Sequence, residues 1–376
     1  MTKSFGSQML AACSLSLILT AYALITEEPL SWEFALADPP TTGGEPLFKT
    51  VFDYVSSPAS AHSPSIRVFE DHVQLVWFEG TREGHEDVVI KSVDITLEDG
   101  QTDWKAQDVS EFFDRHTLAN ATEPSQEIWS LGNIIQLAEG EEATLATVVS
   151  VGGWAAASIA RVEFAENEVS AVRKLRLSPM LNRSHLVRNS TLRYADGSVA
   201  IPTYFEMGNA FGELVRLDSM GNVADKRRIT QDRFAIQPEI VVLGPKRAVA
   251  LSRNFDKNSD RLIASWTTDG GQSWSEPEFL ELPNPNSPVA AIRLSDGRIL
   301  MAFNDDPINN QTLALAISAD GGHSWGRVAV IESNEGDVRY PDFAKLPDGS
   351  LLLTYSFGSK QGIRAHIFNN AWVDAQ

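Results

Sequence analysis

The chain has one cysteine, Cys13, in 376 residues, so no intramolecular disulfide can staple it. It also lacks any Cys cluster, His-x-x-x-His helix or phosphate-cradling glycine loop, and neither a metal nor a nucleotide cofactor is expected. Positive charge is scarce: 31 Lys and Arg against 50 Asp and Glu leave a net charge of −19. That balance excludes a nucleic-acid partner, whose phosphates demand a basic face. An acidic small ligand stays open, because a few local arginines can hold one carboxylate whatever the sign of the remaining surface.

Long apolar runs are missing except for Met9–Ile25, which follows Lys3 and precedes Glu27, Glu28 and Glu33. At ~17 residues it sits at the lower edge of a membrane span and above a usual signal-peptide core. The flanking charges place the bulk of the chain outside the cytoplasm. Residues 1–26 are therefore expected to be a signal peptide or a signal anchor, with Ala21-Tyr22-Ala23 as one cleavage candidate. Leu10-Ala11-Ala12-Cys13 precedes the apolar core instead of following it and is rejected as a lipid site. The location expected is the cell envelope, on its periplasmic or extracellular side, with membrane attachment possible through residues 9–25.

What the chain does have is repetition. Thr267-Thr268-Asp269-Gly270-Gly271-Gln272-Ser273-Trp274 and Ser318-Ala319-Asp320-Gly321-Gly322-His323-Ser324-Trp325 are nearly one sentence written twice, about 50 residues apart. In each, Asp accepts hydrogen bonds from a turn, Gly takes a backbone angle other residues avoid, and Trp wedges against a neighbouring sheet. Glu98–Trp104 and Leu217–Gly221 look like decayed copies. Hairpin turns recur at about the same interval, marked by Asp71, Gly140, Gly197, Gly244, Gly297 and Gly349. Most lead into a strand: Val73–Phe78, Ala143–Val149, Val199–Tyr204, Ala248–Ser252, Ile299–Phe303 and Leu351–Tyr355. Six turns predict an all-β, six-bladed propeller over residues 45–372, each blade four antiparallel strands, after a linker at 27–44. The early intervals are longer, which predicts an insertion around Asp108–Gln126. Nine Trp and 18 Phe supply apolar volume for a domain of that size.

In a propeller the first strand of each blade lines the axis, and function gathers where those strands begin. Counting back from the turns puts His62-Ser63-Pro64, Gly132-Asn133, Arg188-Asn189-Ser190, Gln237-Pro238, Asn286-Ser287-Pro288 and Tyr340-Pro341 at that mouth. Every blade offers a polar residue where a plain core would want Val or Ile. Ends of the following strands add a second ring: Glu79 with Arg82 and Asp87, Tyr204 with Glu206, Arg253, Asn304 with Asp305, and Tyr355.

The segment from His62 to Phe368 resembles the sialidase (neuraminidase) superfamily, in the branch of BNR, or Asp-box, repeats. The two Asp-Gly-Gly turns carry the likeness, as do Glu79-Gly80-Thr81-Arg82-Glu83-Gly84, Ile236-Gln237-Pro238, Asn284-Pro285-Asn286-Ser287 and Arg339-Tyr340-Pro341. The resemblance implies Tyr340 as the nucleophilic tyrosine, Asp87 as the acid/base and Arg253 as one arm of a three-arginine clamp on the substrate carboxylate. It also exposes departures. His62-Ser63-Pro64 stands where sialidases carry Arg-Ile-Pro, Gln237-Pro238 where they carry Glu-Pro, and Asn310 where the third arginine belongs. Without that Glu, Tyr340 lacks the base that makes a phenol nucleophilic.

The implied function is an exo-acting glycoside hydrolase on an acidic sugar of an envelope or extracellular glycan. In it Tyr340, Asp87 and His62 serve catalysis, while Arg253, Arg188, Arg82, Gln237, Asn189, Glu206 and Asn304 hold substrate. Glu206 is a spare carboxylate able to replace a missing acid. Two other classes stay open: a propeller polysaccharide lyase using His62 and Tyr340 on a uronate, and a non-catalytic glycan-binding propeller. The partner in each case is an acidic oligosaccharide or polysaccharide.

Overall fold

The computed structural model describes residues 13–18, 30–36, 44–56, 60–97, 104–138, 141–178, 183–230, 234–256, 258–333 and 336–376. Its strands form six antiparallel sheets, the six blades of a propeller. In chain order the inner strands are Ser60–Val68, Ser130–Gln136, His185–Val187, Ala235–Gly244, Ala290–Arg293 and Arg339–Lys345. The second strands, His72–Gly80, Thr144–Val149, Val199–Phe205, Arg247–Asn254, Ile299–Asn304 and Leu351–Phe357, return beside them. Each contains the apolar run expected from the sequence, save that Ala143 lies just before its strand.

Two sheets have five strands instead of the expected four. In blade 1 the outer strand is split into Trp104–Ala106 and Ser110–Asp114. The insertion expected near Asp108–Gln126 is that second piece plus a helix, Arg115–Asn120, capped by Asp114. In blade 3 the inner strand breaks between His185–Val187 and Leu192–Arg193. There Arg188 and Asn189 leave the ladder to reach carbonyls of other blades. The ring closes through Phe48–Val55, which pairs antiparallel with Gly362–Phe368 as the outer strand of the last blade.

The core follows from the two-residue period of a strand, which sends alternate side chains into opposite seams. Val73, Leu75 and Trp77 pack toward the last blade with Leu352 and Ile363. Val76 and Phe78, on the other face of the same strand, pack toward blade 2 with Ile134 and Val148.

The two intact Asp turns follow third strands, at the end of the propeller opposite the inner-strand starts. Their hydrogen bonds match: Asp269 accepts from Ser273 N at 3.0 Å, and Asp320 from Ser324 N at 2.9 Å. Gly271 and Gly322 sit at φ of 91° and 95°, which a side chain resists. The decayed copy at Asp218 keeps part of the pattern, accepting from Met220 N and Asn222 N. Most of the other copy, and the turn at Glu139–Gly140, lie outside the described residues.

Within the expected linker, residues 31–36 dock onto this same end. Phe34 is 2% exposed, donates from its N–H to Pro245 O at 2.6 Å and packs on Tyr194. Arg216 lies over Trp32 and Tyr194 and donates to Ser31 O. Of the apolar helix expected over Met9–Ile25, residues 13–18 are helical and exposed, and the rest lies outside the described residues. No described helix is long and apolar enough to cross a membrane, so the anchor helix finds no support in the structure.

Candidate active site at the propeller mouth

Inner strands enter the mouth through a repeated irregularity. Their pairing slips between His62 and Ser65, Leu131 and Ile134, Ile236 and Glu239, and Arg339 and Asp342. At the slip Ser63, Gln237 and Tyr340 take φ of 54°, 51° and 56°, and each precedes a proline that has no N–H to give the ladder. A left-handed angle on such side chains costs about 1–3 kcal/mol and persists only where the surroundings over-determine it. The bulge turns a residue out of the blade seam and toward the axis.

Tyr340, 8% exposed, is the centre of what results. Its hydroxyl accepts from Arg253 Nη1 at 3.3 Å. The His62 ring meets its ring edge to face at 4.4 Å, and the Arg188 guanidinium lies 5.3 Å from its centroid. Arg253 also donates from Nη1 to Gln237 Oε1 at 3.0 Å and from Nε to Asn286 Oδ1 at 2.7 Å. Gln237 donates in turn to the Tyr204 hydroxyl at 3.1 Å, and Asn189 donates to Gln237 O at 3.0 Å. Arg188 reaches across the axis to Pro341 O at 2.7 Å, and its Nε and Nη1 are buried without a partner among the described residues. Six expected site residues, His62, Arg188, Asn189, Gln237, Arg253 and Tyr340, therefore converge.

His62 is 1% exposed and bonded through Nδ1 to Ser356 Oγ at 3.1 Å, with Nε2 unpartnered. Burial, and then Lys360, Arg339, Arg188 and Arg253, hold it well below the usual imidazole range, so its ring is neutral at physiological pH. Of these four cations, Lys360 pairs with Glu83 at 2.7 Å and Arg339 with Asp337 at 3.3 Å, while the described hydrogen-bond partners of Arg188 and Arg253 are all neutral. Below the mouth, burial raises the carboxyls of Glu239 and Asp342 above their ordinary range, against the pull of Arg188.

Three expected residues, Asn304, Asp87 and Arg82, have no described hydrogen bond or ring contact with this cluster. Asn304 is fully buried and spends its amide on the carbonyls of Asn310, Thr312 and Val338, so it braces loops and does not face a ligand. Asp87 is exposed and accepts from Thr81 and His85, which hold its carboxylate below the usual range and pin the loop after His72–Gly80. Arg82, on that loop, is exposed. Glu79 is also a brace, accepting from Tyr54 and Trp77.

Glu206 extends the second strand of blade 3 at the mouth end. It follows the last residue of Val199–Phe205 and donates from its N–H to Ser184 O, continuing the ladder. Tyr204 faces the axis, so strand alternation turns Glu206 the same way, one step nearer solvent. Burial raises its carboxyl; Arg253 opposes that shift and Glu83 adds to it.

Sequence reasoning missed Arg339 and Lys360. Arg339 neighbours Tyr340 in sequence and would point away from it in a regular strand, but the bulge breaks that alternation. Burial depresses its guanidinium, against the pull of Asp337 at 3.3 Å, and Arg253 adds to the effect. Lys360 pairs with Glu83 at 2.7 Å from the turn after Leu351–Phe357. No signal in the sequence marks it.

Comparison with known proteins agrees on the fold. Residues 71–353 match the BNR repeat-like domain family. No curated protein matches the chain. A protein of unknown function from Dyadobacter fermentans is similar at 16% identity and a TM-score of 0.62, over 86% of this chain and 99% of its own. A Trypanosoma rangeli sialidase bound to the inhibitor DANA is similar at 10% identity and a TM-score of 0.61, over 87% of this chain but only 58% of its own. An intramolecular trans-sialidase from Ruminococcus gnavus, in complex with oseltamivir carboxylate, has 12% identity and a TM-score of 0.58, over 84% and 96%. At such identities these likenesses speak for the fold alone.

Proposed function

The chain belongs to the BNR repeat-like domain family, within the sialidase superfamily, and from that premise we propose that its mouth is the active site of an exo-acting glycoside hydrolase. The substrate proposed is an acidic sugar at the end of an oligo- or polysaccharide of the cell envelope or its surroundings.

One observation carries this reading: the Arg188 and Arg253 guanidiniums both contact Tyr340, and every hydrogen-bond partner described for them is neutral, in a chain of net charge −19. Such clustered cations call for an anion, and a planar guanidinium suits a carboxylate. Arg253, whose described hydrogen-bond partners are all neutral, would hold it, with the buried Arg188 adding its charge from beside the Tyr340 ring. Tyr340 then lies under the anomeric carbon, its oxygen oriented by Arg253. Gln237 cannot take a proton from the phenol as a glutamate would. Tyr340 therefore acts as a neutral oxygen whose lone pair stabilises positive charge developing in the sugar ring.

A second reading has its own support. The unpartnered Nε2 of His62 is a neutral nitrogen beside Tyr340, as a uronate lyase requires of its base. Incubating the protein with a panel of acidic glycans separates the readings, scored for reducing sugar and for unsaturated-uronate absorbance. Reducing sugar without absorbance is the expected result. Absorbance favours the lyase, and binding without either signal favours a glycan-binding propeller.

A further inference from the structure

We infer that Glu206 is the proton donor of the reaction, the group that protonates the leaving oxygen at the mouth. The inference rests on the hydrolase reading. Its geometric basis is the register of the second strand of blade 3. Tyr204 points to the axis and meets Gln237 Nε2 at 3.1 Å. Phe205 points the other way, onto His185 and Phe211. Glu206 returns to the axial side, about 7 Å further toward solvent than Tyr204. That puts its carboxyl above the layer formed by Gln237, Arg253 and Tyr340, where a leaving group departs.

Two charged groups bear on it from other parts of the ring. Arg253 approaches from blade 4 and Glu83 from the loop of blade 1, itself paired with Lys360 of blade 6; on its own strand Tyr204 lies below. From blade 3, Glu206 is thus within electrostatic reach of both blade 1 and blade 4. No hydrogen bond from a described residue occupies it, and partial burial keeps its proton on to higher pH than an ordinary glutamate. Asp87 has the opposite environment. Thr81 and His85 donate to both of its oxygens, which leaves an anion committed to its loop.

The step balances with the groups present. Glu206 gives its proton to the glycosidic oxygen as the bond to the anomeric carbon breaks and its electron pair goes to that oxygen. The free alcohol departs, and the sugar cation is stabilised by Tyr340 from the opposite face. Water then adds to the cation and gives its proton to the Glu206 carboxylate. The sum is one glycoside and one water converted to a sugar and an alcohol, with Glu206 restored and no base needed at Gln237.

The test compares Glu206→Gln with Asp87→Asn and wild type on two glycosides of one acidic sugar, with a nitrophenyl and with an unactivated alcohol as leaving group. Glu206→Gln should lose about 10²–10⁴-fold in kcat/KM on the alcohol but stay within about tenfold of wild type on the nitrophenyl compound, which departs without a proton. It should also lose the alkaline limb of the pH profile, and added azide should yield the glycosyl azide. Asp87→Asn should affect both substrates alike. If Glu206→Gln keeps its rate on the alcohol, or Asp87→Asn shows the leaving-group split, Glu206 is not the donor while the hydrolase reading stands. If wild type cleaves neither compound nor any acidic glycan in the panel, the hydrolase reading falls and this role falls with it.

Discussion

Replacing Tyr340 by Phe removes one oxygen from the centre of the proposed site and little else. The hydroxyl accepts from Arg253 at 3.3 Å, a long bond, and Arg253 keeps Asn286 at 2.7 Å and Gln237 at 3.0 Å. The ring keeps its contacts with His62 at 4.4 Å and Arg188 at 5.3 Å. The stability change is therefore within about 1 kcal/mol, the net value of one ordinary hydrogen bond, and Tm should move by about 3 °C or less. Transition-state stabilisation by that oxygen is worth about 2.7–4 kcal/mol if it acts like a preorganised polar group at developing charge, so kcat should fall ~10²–10³-fold. Tyr340→Ala is the contrasting variant. It deletes a side chain only 8% exposed and should cost about 3–5 kcal/mol of stability besides activity. Differential scanning calorimetry beside steady-state kinetics on an acidic aryl glycoside reads both quantities. A Tyr340→Phe protein that keeps more than about a tenth of wild-type kcat/KM, equivalent to ~1.4 kcal/mol, would refute the role given to the phenol oxygen.

Other consequences are as direct. Arg253→Lys should lose about 10–100-fold in kcat/KM on acidic sugars and far less on neutral ones, because one ammonium cannot serve Asn286, Gln237 and a carboxylate from separate nitrogens; equal losses on both sugars would contradict the clamp. Phe34→Ala should lower stability by about 3–5 kcal/mol without changing kcat, since Phe34 is buried at the end of the propeller away from the mouth; chemical denaturation beside kinetics checks it. Glu239→Gln should raise Tm, and by more at neutral than at acid pH. Burial raises the folded carboxyl above its unfolded value, so wild type is fully stabilised below the unfolded pKa and loses that stability as pH rises through the folded one. Melting curves across pH decide this, and a gain confined to acid pH would reverse the sign.

The fold was legible because turn chemistry repeats. All six second strands were placed within a few residues from Asp-Gly and similar turns, since a hairpin turn is a local event written in adjacent residues. The closure by Phe48–Val55 was not, because its partner strand lies at the other end of the chain. Phe34 was missed for a related reason, as one apolar residue in a polar segment has no period to betray it. The floor of the site was legible, because a polar residue before proline at an inner-strand start marks the bulge at Ser63, Gln237 and Tyr340. The second ring was not. Arg253 and Asn304 both end second strands, and only the three-dimensional structure shows one facing Tyr340 and the other bound to backbone carbonyls. Arg339 was hidden by the bulge that exposes its neighbour. The contrast between Asp87 and Glu206 depends on hydrogen bonds and burial that no spacing encodes.

The most direct test of the central claim is digestion of an acidic oligosaccharide by the wild-type protein in water enriched in heavy oxygen, with mass spectrometry of the released sugar. Hydrolysis at the mouth predicts a saturated acidic monosaccharide carrying one heavy oxygen at its anomeric carbon, released about 10²–10³-fold more slowly by Tyr340→Phe. An unsaturated product without label, or no release from any acidic glycan, would contradict the account.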